Sequence, residues 1–312
     1  MGARMVELKE RVGFIGTGIM GAPMALRLKE AGYAVTAYNR TESKLVALVE
    51  QGVEVTVDLA TAVRHQEVLV LMLSDDAALT ALVESRGGVL AHVQPGTVVI
   101  NMSTIAPLSS RRLASAFAAK EVSYLDAPVS GSAGAAKSGQ LVALVGGDKA
   151  VFERVRPLLS AMTKEQFYFG EAGSGNDAKL VINLQLALTM QAIAESLVLA
   201  ESLGLQRGQV LDMMQSSSLS SAFFGIKRSL LETEDFTPAF ALKHMRKDLS
   251  LVLDAARPNG AVLPNALTSF GTYTAAVQNG LGEEDLSAVV VELLRQSGYT
   301  GENRRRDDAE GE

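Results

Sequence analysis

Along the first 170 residues, short apolar and β-branched runs alternate with longer stretches of helical periodicity. From Arg11 the chain reads "RVGFIG", a helical pattern to Gly32, "YAVTAYN", a second helical pattern to Gly52, then "EVLVLML", "TVVINMS" and "SYLDAPV". That rhythm predicts repeated βαβ units, an α/β domain whose doubly wound, mostly parallel sheet carries helices on both faces. "LVLML" and "TVVIN" are almost unbroken apolar runs, the pattern of strands buried on both faces. After "QLVALVGG", a helix containing "FERVRPLLSAM" and the strand-like "FYFG", the β pattern ends. From about Gly173 it is helical, with Ser174 and Asp177 spaced as a capping pair for a long helix reaching about Gly204. The domains are therefore expected at residues 11–172 and 173–300, with "GENRRRDDAEGE", residues 301–312, as a disordered tail.

Three glycines interrupt the first strand-to-helix junction. Gly16, Gly18 and Gly21 form G-x-G-x-x-G, with Ile19 and Met20 between the second and third, directly after a strand and before a helix. In that context the first glycine makes the tight turn and the second lets backbone approach a pyrophosphate. The third packs helix against strand, and the phosphates sit at the helix's positive end. The end of the second strand bears on which dinucleotide binds. A free ribose hydroxyl is usually met there by Asp or Glu, and a 2′-phosphate by Arg. This chain has Asn39, Arg40 and Thr41, with no carboxylate before Glu42, which favours NADP(H) over NAD. The competing reading makes Arg40 an ordinary solvated loop charge.

Composition narrows the chemistry. The 312 residues are 47% hydrophobic and 21% charged, with 29 Lys plus Arg against 35 Asp plus Glu and a net charge of -6. That is an ordinary globular composition, with no sign of a nucleic-acid or membrane-surface partner. Cysteine is absent, which excludes disulfides and thiolate nucleophiles and fits a reducing, cytoplasmic setting. His65, His92 and His244 lack metal-ligand spacing, so no metal is expected. The opening "MGARMVELKER" carries charges where a secretory signal needs an apolar stretch. "LVINLQLALTMQAIAESLVLA" holds Asn183, Gln185, Gln191 and Glu195 and is expected as a buried helix of a soluble domain rather than a membrane span.

Three polar clusters stand out. Lys179 and Asn183 lie four residues apart at the start of the long helix, on one face and among apolar neighbours. "FALKHMRKD" sets Phe240, His244 and Asp248 at four-residue steps, with Lys243 and Lys247 beside them. "DAPVSGSAGAAKSGQL" follows a strand with what reads as a flexible polar loop containing Ser130, Gly131 and Ser132. Singly, each also fits a structural salt bridge, an exposed helix face or a turn.

In combination they resemble the β-hydroxyacid dehydrogenase family, which includes 3-hydroxyisobutyrate dehydrogenases, tartronate semialdehyde reductase and the glyoxylate/succinic semialdehyde reductases. "GFIGTGIMGAPMA", "DAPVSGS", "GSGNDAKLVIN" and "KDLSLVLDAA" match the family's motifs in order, joined by "LMLSDD" and "NMSTIAP". The resemblance implies an N-terminal Rossmann domain, an all-α C-terminal domain for substrate and oligomerisation, and catalysis in the cleft between them. It makes Lys179 the general acid/base. Ser130, Gly131, Ser132 and Asn183 would hold the substrate, with Phe240 and Asp248 also expected as substrate-binding residues. Thr104 would sit beside the nicotinamide, Lys247 would contact the cofactor, and Met72 and Leu73 would line its site.

Ser130-Gly131-Ser132 and the Phe240 to Asp248 spacing are similar to the glyoxylate/succinic semialdehyde reductases, which prefer NADPH. Arg27, where relatives commonly have asparagine, and "SAGAAKSGQL" depart from the family pattern, the latter leaving substrate preference open. The expected reaction is NADPH-dependent reduction of a short carboxylate-bearing aldehyde to a hydroxyacid by a homodimer or homotetramer. An unperturbed lysine titrates near 10.4, so the acid form needed for reduction is present at neutral pH. The alternatives are an NAD-dependent 3-hydroxyisobutyrate or tartronate semialdehyde enzyme, a reductase of cyclic imines, and a catalytically silent dinucleotide-binding module. Lys179 argues against the last two.

Overall fold

A computed structural model describes residues 9–299; the proposed tail at 301–312 lies outside the described residues. The strands are β1 (Arg11–Ile15), β2 (Ala34–Tyr38), β3 (Glu54–Thr56), β4 (Val68–Leu71), β5 (Val98–Asn101), β6 (Ser123–Asp126), β7 (Val129–Ser130), β8 (Leu141–Gly147) and β9 (Thr163–Gly170). They form one sheet in the order β3-β2-β1-β4-β5-β6-β8-β7, with β9 also pairing β8. The pairs from β3 to β6 are parallel, β8 runs antiparallel to β6 and β7, and β9 is parallel to β8.

The unbroken apolar runs have a direct cause. Side chains alternate across a strand, and here both faces are covered. Phe14, Val70 and Ile100 enter one core with Met24 and Leu28 of the helix Gly21–Glu30, whereas Ile15, Leu69, Leu71 and Val99 enter another with Leu113 and Phe117 of the helix Pro107–Ala118. Three elements differ from the sequence reading. The three-residue β3 carries no apolar run to announce it. Residues 129–137 are not a flexible loop: β7 pairs β8, and Ser132 starts the short helix Ala133–Lys137. The second helical stretch is a short 3-10 turn, Glu42–Lys44, followed by Val46–Glu50.

The chain divides into two compact units between Lys179 and Leu180, so the first six residues of the helix Ser174–Ser202 group with the sheet. In the second unit that helix packs Ala187, Met190, Ala194 and Leu197 against Leu211, Phe224, Met245, Leu249, Tyr273 and Val290. It is long and apolar enough to cross a membrane by length and composition alone. Only one of its faces is buried. Val181 is 71% and Leu199 60% exposed, because the side chains of the second unit cover a single stripe of it.

Candidate active site

Strand order reverses between β1 and β4, which places a crevice at the carboxyl ends of those strands, where open α/β sheets bind ligands. The glycine loop leaves β1 at that point. Gly16 has φ +102°, and a Cβ there would lie 2.2 Å from the Met72 carbonyl that follows β4. A Cβ on Gly21 would lie 1.9 Å from the Gly16 carbonyl. Gly18, by contrast, is exposed and would meet nothing within 4 Å. Two of the glycines are thus required by packing, and the third keeps space open beside a helix whose first turn holds no acidic side chain. That is a cradle suited to a dinucleotide's phosphates. Met20 is half-buried and Ile19 is exposed on the same loop.

At the end of β2, Asn39 Nδ2 donates to Thr17 Oγ1 at 3.0 Å, and its Oδ1 accepts the Thr41 N–H at 2.9 Å. Its amide is committed to bracing the glycine loop, and Arg40 stands exposed beside it. Arg27 lies further along the first helix. It pairs with Glu30 at 2.7 Å and packs beside Gly139, so it braces the helix rather than the phosphate end.

After β5 the segment bearing Thr104 is pinned through its neighbours. Ser103 N–H donates to Asn101 Oδ1 at 3.1 Å, while Ser103 Oγ accepts the Leu73 N–H at 2.9 Å. Ala106 N–H reaches the Asp76 carboxylate at 3.0 Å, and Ile105 N–H reaches Asn176 Oδ1 at 3.0 Å. Met72, Leu73 and Thr104 are all half-buried on these segments.

The capping pair expected at the long helix does not form. Ser174 Oγ instead donates backwards to the Glu171 carbonyl at 2.7 Å, and Asp177 pairs with Arg111 at 2.6 Å. The cap comes from β6, whose fully buried Asp126 accepts the N–H groups of Gly173 and Asn176 at 2.7 and 2.8 Å. A carboxylate at the positive end of a 29-residue helix satisfies its orphan donors. Burial pushes the Asp126 carboxyl up, and the two backbone donors pull against it. The same helix presents Lys179, 9% exposed. Four residues beyond Asp126, Ser130 sits half-buried at the end of β7, followed by Gly131 at φ +136° and Ser132, whose hydroxyl accepts the Ala135 N–H at 3.4 Å.

In the second unit, Asn183 Nδ2 donates to Asp248 Oδ2 at 2.6 Å, and Lys247 Nζ lies 2.8 Å from Asp248 Oδ1. Asn183 and Asp248 are buried, 3% and 2% exposed. Phe240 is not on the helix with His244 and Asp248, as the four-residue spacing suggested. The helix begins at Leu242, because Ala239 and Phe240 give their N–H groups to Asp285. The Phe240 and His244 rings still meet, with centroids 6.1 Å apart. Burial and the flanking Lys247 and Lys243 hold the His244 imidazole below its usual range.

Asp126, Asn176, Asn101, Ser103, Lys227 and Asp285 were not singled out from sequence. Asp126 and Asn176 take partners 47 to 71 positions away and Lys227 and Asp285 pair across 58, so none of these four leaves a local signal.

A family model described as the NAD binding domain of 6-phosphogluconate dehydrogenase matches residues 11–170, and one described as NAD-binding of NADP-dependent 3-hydroxyisobutyrate dehydrogenase matches residues 173–293. The chain belongs to the β-hydroxyacid dehydrogenase family. Among relatives, it is 37% identical to glyoxylate/succinic semialdehyde reductase 1 of Arabidopsis thaliana, over 89% of this chain and 96% of that protein. It is 33% identical to 2-(hydroxymethyl)glutarate dehydrogenase of Eubacterium barkeri, over 91% and 95%. The crystal structure of a 3-hydroxyisobutyrate dehydrogenase from Salmonella typhimurium superposes with TM-score 0.84 at 28% identity, covering 90% and 99%. Like other β-hydroxyacid dehydrogenases, the chain is an NAD(P)-dependent oxidoreductase acting on a CH–OH group of a small molecule.

Proposed function

We propose that this dehydrogenase works as an NADPH-dependent reductase of short carboxylate-bearing aldehydes, with glyoxylate and succinic semialdehyde as its substrate class. Lys179 carries the reading: a lysine nine-tenths buried on a helix cemented to the sheet, with the amide of Asn183 one turn further along. A lysine in that setting can give a carbonyl oxygen its proton. Ser130, Gly131, Ser132, Asn183, Phe240 and Asp248 are the residues assigned to the substrate. Gly16, Gly18, Ile19, Met20, Gly21, Met72, Leu73, Thr104 and Lys247 serve the cofactor. The bound nicotinamide supplies the hydride.

Preference for NADPH rests on Asn39, Arg40 and Thr41. A carboxylate that would repel a 2′-phosphate is absent from them, and the Arg40 guanidinium is solvent-exposed. Arg40→Ala is expected to raise the KM for NADPH by about tenfold while leaving NADH kinetics within about twofold, since a charge-assisted phosphate contact contributes roughly 1.5–3 kcal/mol. Initial rates with both coenzymes and a panel of glyoxylate, succinic, tartronate and methylmalonate semialdehydes test the reading. Faster turnover of 3-hydroxyisobutyrate with NAD+, or of methylmalonate semialdehyde with NADH, would replace it with the NAD-dependent alternative.

The helical unit also leaves Val181, Leu199, Leu203, Leu205 and Leu219 more than half exposed. We assign this apolar surface to a second copy of the chain, giving a homodimer or homotetramer. Light scattering at micromolar concentration is expected to return twice or four times the 33.0 kDa chain mass.

A further inference from the structure

Three backbone N–H groups around Thr104 are each held by a side chain from a different element. Ser103 is held by Asn101 on β5, Ala106 by Asp76 at the start of the helix Asp76–Glu84, and Ile105 by Asn176. Asn176 alone among these three holders belongs to the helix that carries Lys179, three residues before it. Its polar atoms are all engaged. Oδ1 accepts from Ile105 at 3.0 Å, its own N–H donates to Asp126 Oδ2 at 2.8 Å, and Nδ2 leans on the same oxygen at 3.4 Å. Both Asn176 and Asp126 are fully buried, so no water competes for these bonds.

The consequence is geometric. Asp126 fixes the helix start against β6, the strand that leads on to Ser130. Asn176 then fixes the Thr104 segment against the same helix start. Lys179 follows less than one helical turn later, about 4.5 Å along the axis at 1.5 Å per residue. We propose that Asn176 is a positioning residue that sets the separation between Thr104, beside the nicotinamide, and the Lys179 ammonium. The proposal rests on the roles assigned above to Thr104 and Lys179. Asn176 touches neither substrate nor cofactor; it acts through Ile105 and through the helix. Such a residue affects the chemical step more than binding, because near-attack geometry tolerates little displacement while the phosphate cradle at Gly16 to Gly21 is built elsewhere.

The test uses the full-length chain with succinic semialdehyde and NADPH. Asn176→Ala is expected to lower kcat by about 10- to 100-fold, the scale of a displacement of about 1 Å at a reacting pair. The NADPH Kd from fluorescence titration and the KM for aldehyde should stay within threefold. With NADPH deuterated at the transferred position, the isotope effect on kcat should rise as hydride transfer becomes slow. Combining Asn176→Ala with Thr104→Ala should cost no more than threefold beyond Thr104→Ala alone, because the two act on one geometry. Asn176→Ser, too short to reach Ile105, is expected to reproduce the kcat loss and serves if the alanine variant does not fold.

An unchanged kcat in both variants, a loss confined to Kd, an unchanged isotope effect, or losses that multiply in the double variant would each overturn the proposal. Lys179→Ala separates the two levels. Full turnover without Lys179 removes the catalytic reading itself, whereas an inactive Lys179→Ala beside a normal Asn176→Ala removes only the positioning role.

Discussion

Replacing Lys179 by alanine is expected to lower kcat for aldehyde reduction by about 10²-fold or more while NADPH still binds, the usual scale for a general acid. Alanine is the best helix former, and the cap that anchors this helix comes from Asp126 rather than from Lys179, so the helix should survive the change. The glycine loop and Asn39 follow β1 and β2 and do not depend on the lysine. The loss should therefore fall on kcat and spare the NADPH Kd.

Direction matters as well. Reduction needs the ammonium and should slow as the solution becomes alkaline. Oxidation of the hydroxyacid needs the neutral amine and should speed up as the solution becomes alkaline. Lys179→Arg keeps a cation that proteins do not deprotonate, so its oxidation rate should stay low at every pH. Matching pH profiles for the two directions in the unaltered enzyme would count against the assignment.

The parts of the molecule that were legible in the sequence share a property: their signal is local. The glycine spacing, the apolar runs of β4 and β5, and the switch to helical periodicity near Gly173 are each written within a few neighbouring residues, and each is found where expected. Phe240 shows where this fails. Spacing alone extended the helix of His244 and Asp248 back to it, but the backbone N–H at Phe240 is claimed by Asp285, 45 residues on. Ser174 and Asp177 fail for the same reason, since a buried carboxylate from β6 outcompeted the local cap. What the sequence conceals is which distant polar group wins a backbone donor.

The Lys227–Asp285 pair is the clearest case, and breaking it should have the largest effect on stability. Lys227 Nζ lies 2.8 Å from both Asp285 oxygens, at 4% and 0% side-chain exposure. Asp285 also accepts from Ser287 N–H and Oγ and from the N–H groups of Ala239 and Phe240. Lys227→Met keeps the aliphatic stem but strands a buried carboxylate, which costs about 3–5 kcal/mol. A melting temperature lower by roughly 10 °C or more is the expected reading.

The effect should carry a pH signature that lost packing cannot mimic. Burial pushes the Asp285 carboxyl up, but Lys227 and the Ser287 donors outweigh it and hold the group below the usual range. A depressed folded-state value contributes stability above the unfolded value, near pH 4, and that contribution is lost as pH falls through the folded one. Without the ammonium, burial gains ground and the folded-state value rises. The gap in melting temperature between the two proteins should therefore be widest near neutral pH and close on acidification through the carboxylate range. A gap independent of pH between 7 and 4 would mean that the loss comes from packing around the substituted side chain and not from the buried charge. A gap that closes would identify the buried charge as what ties the Phe240 turn to the helical unit.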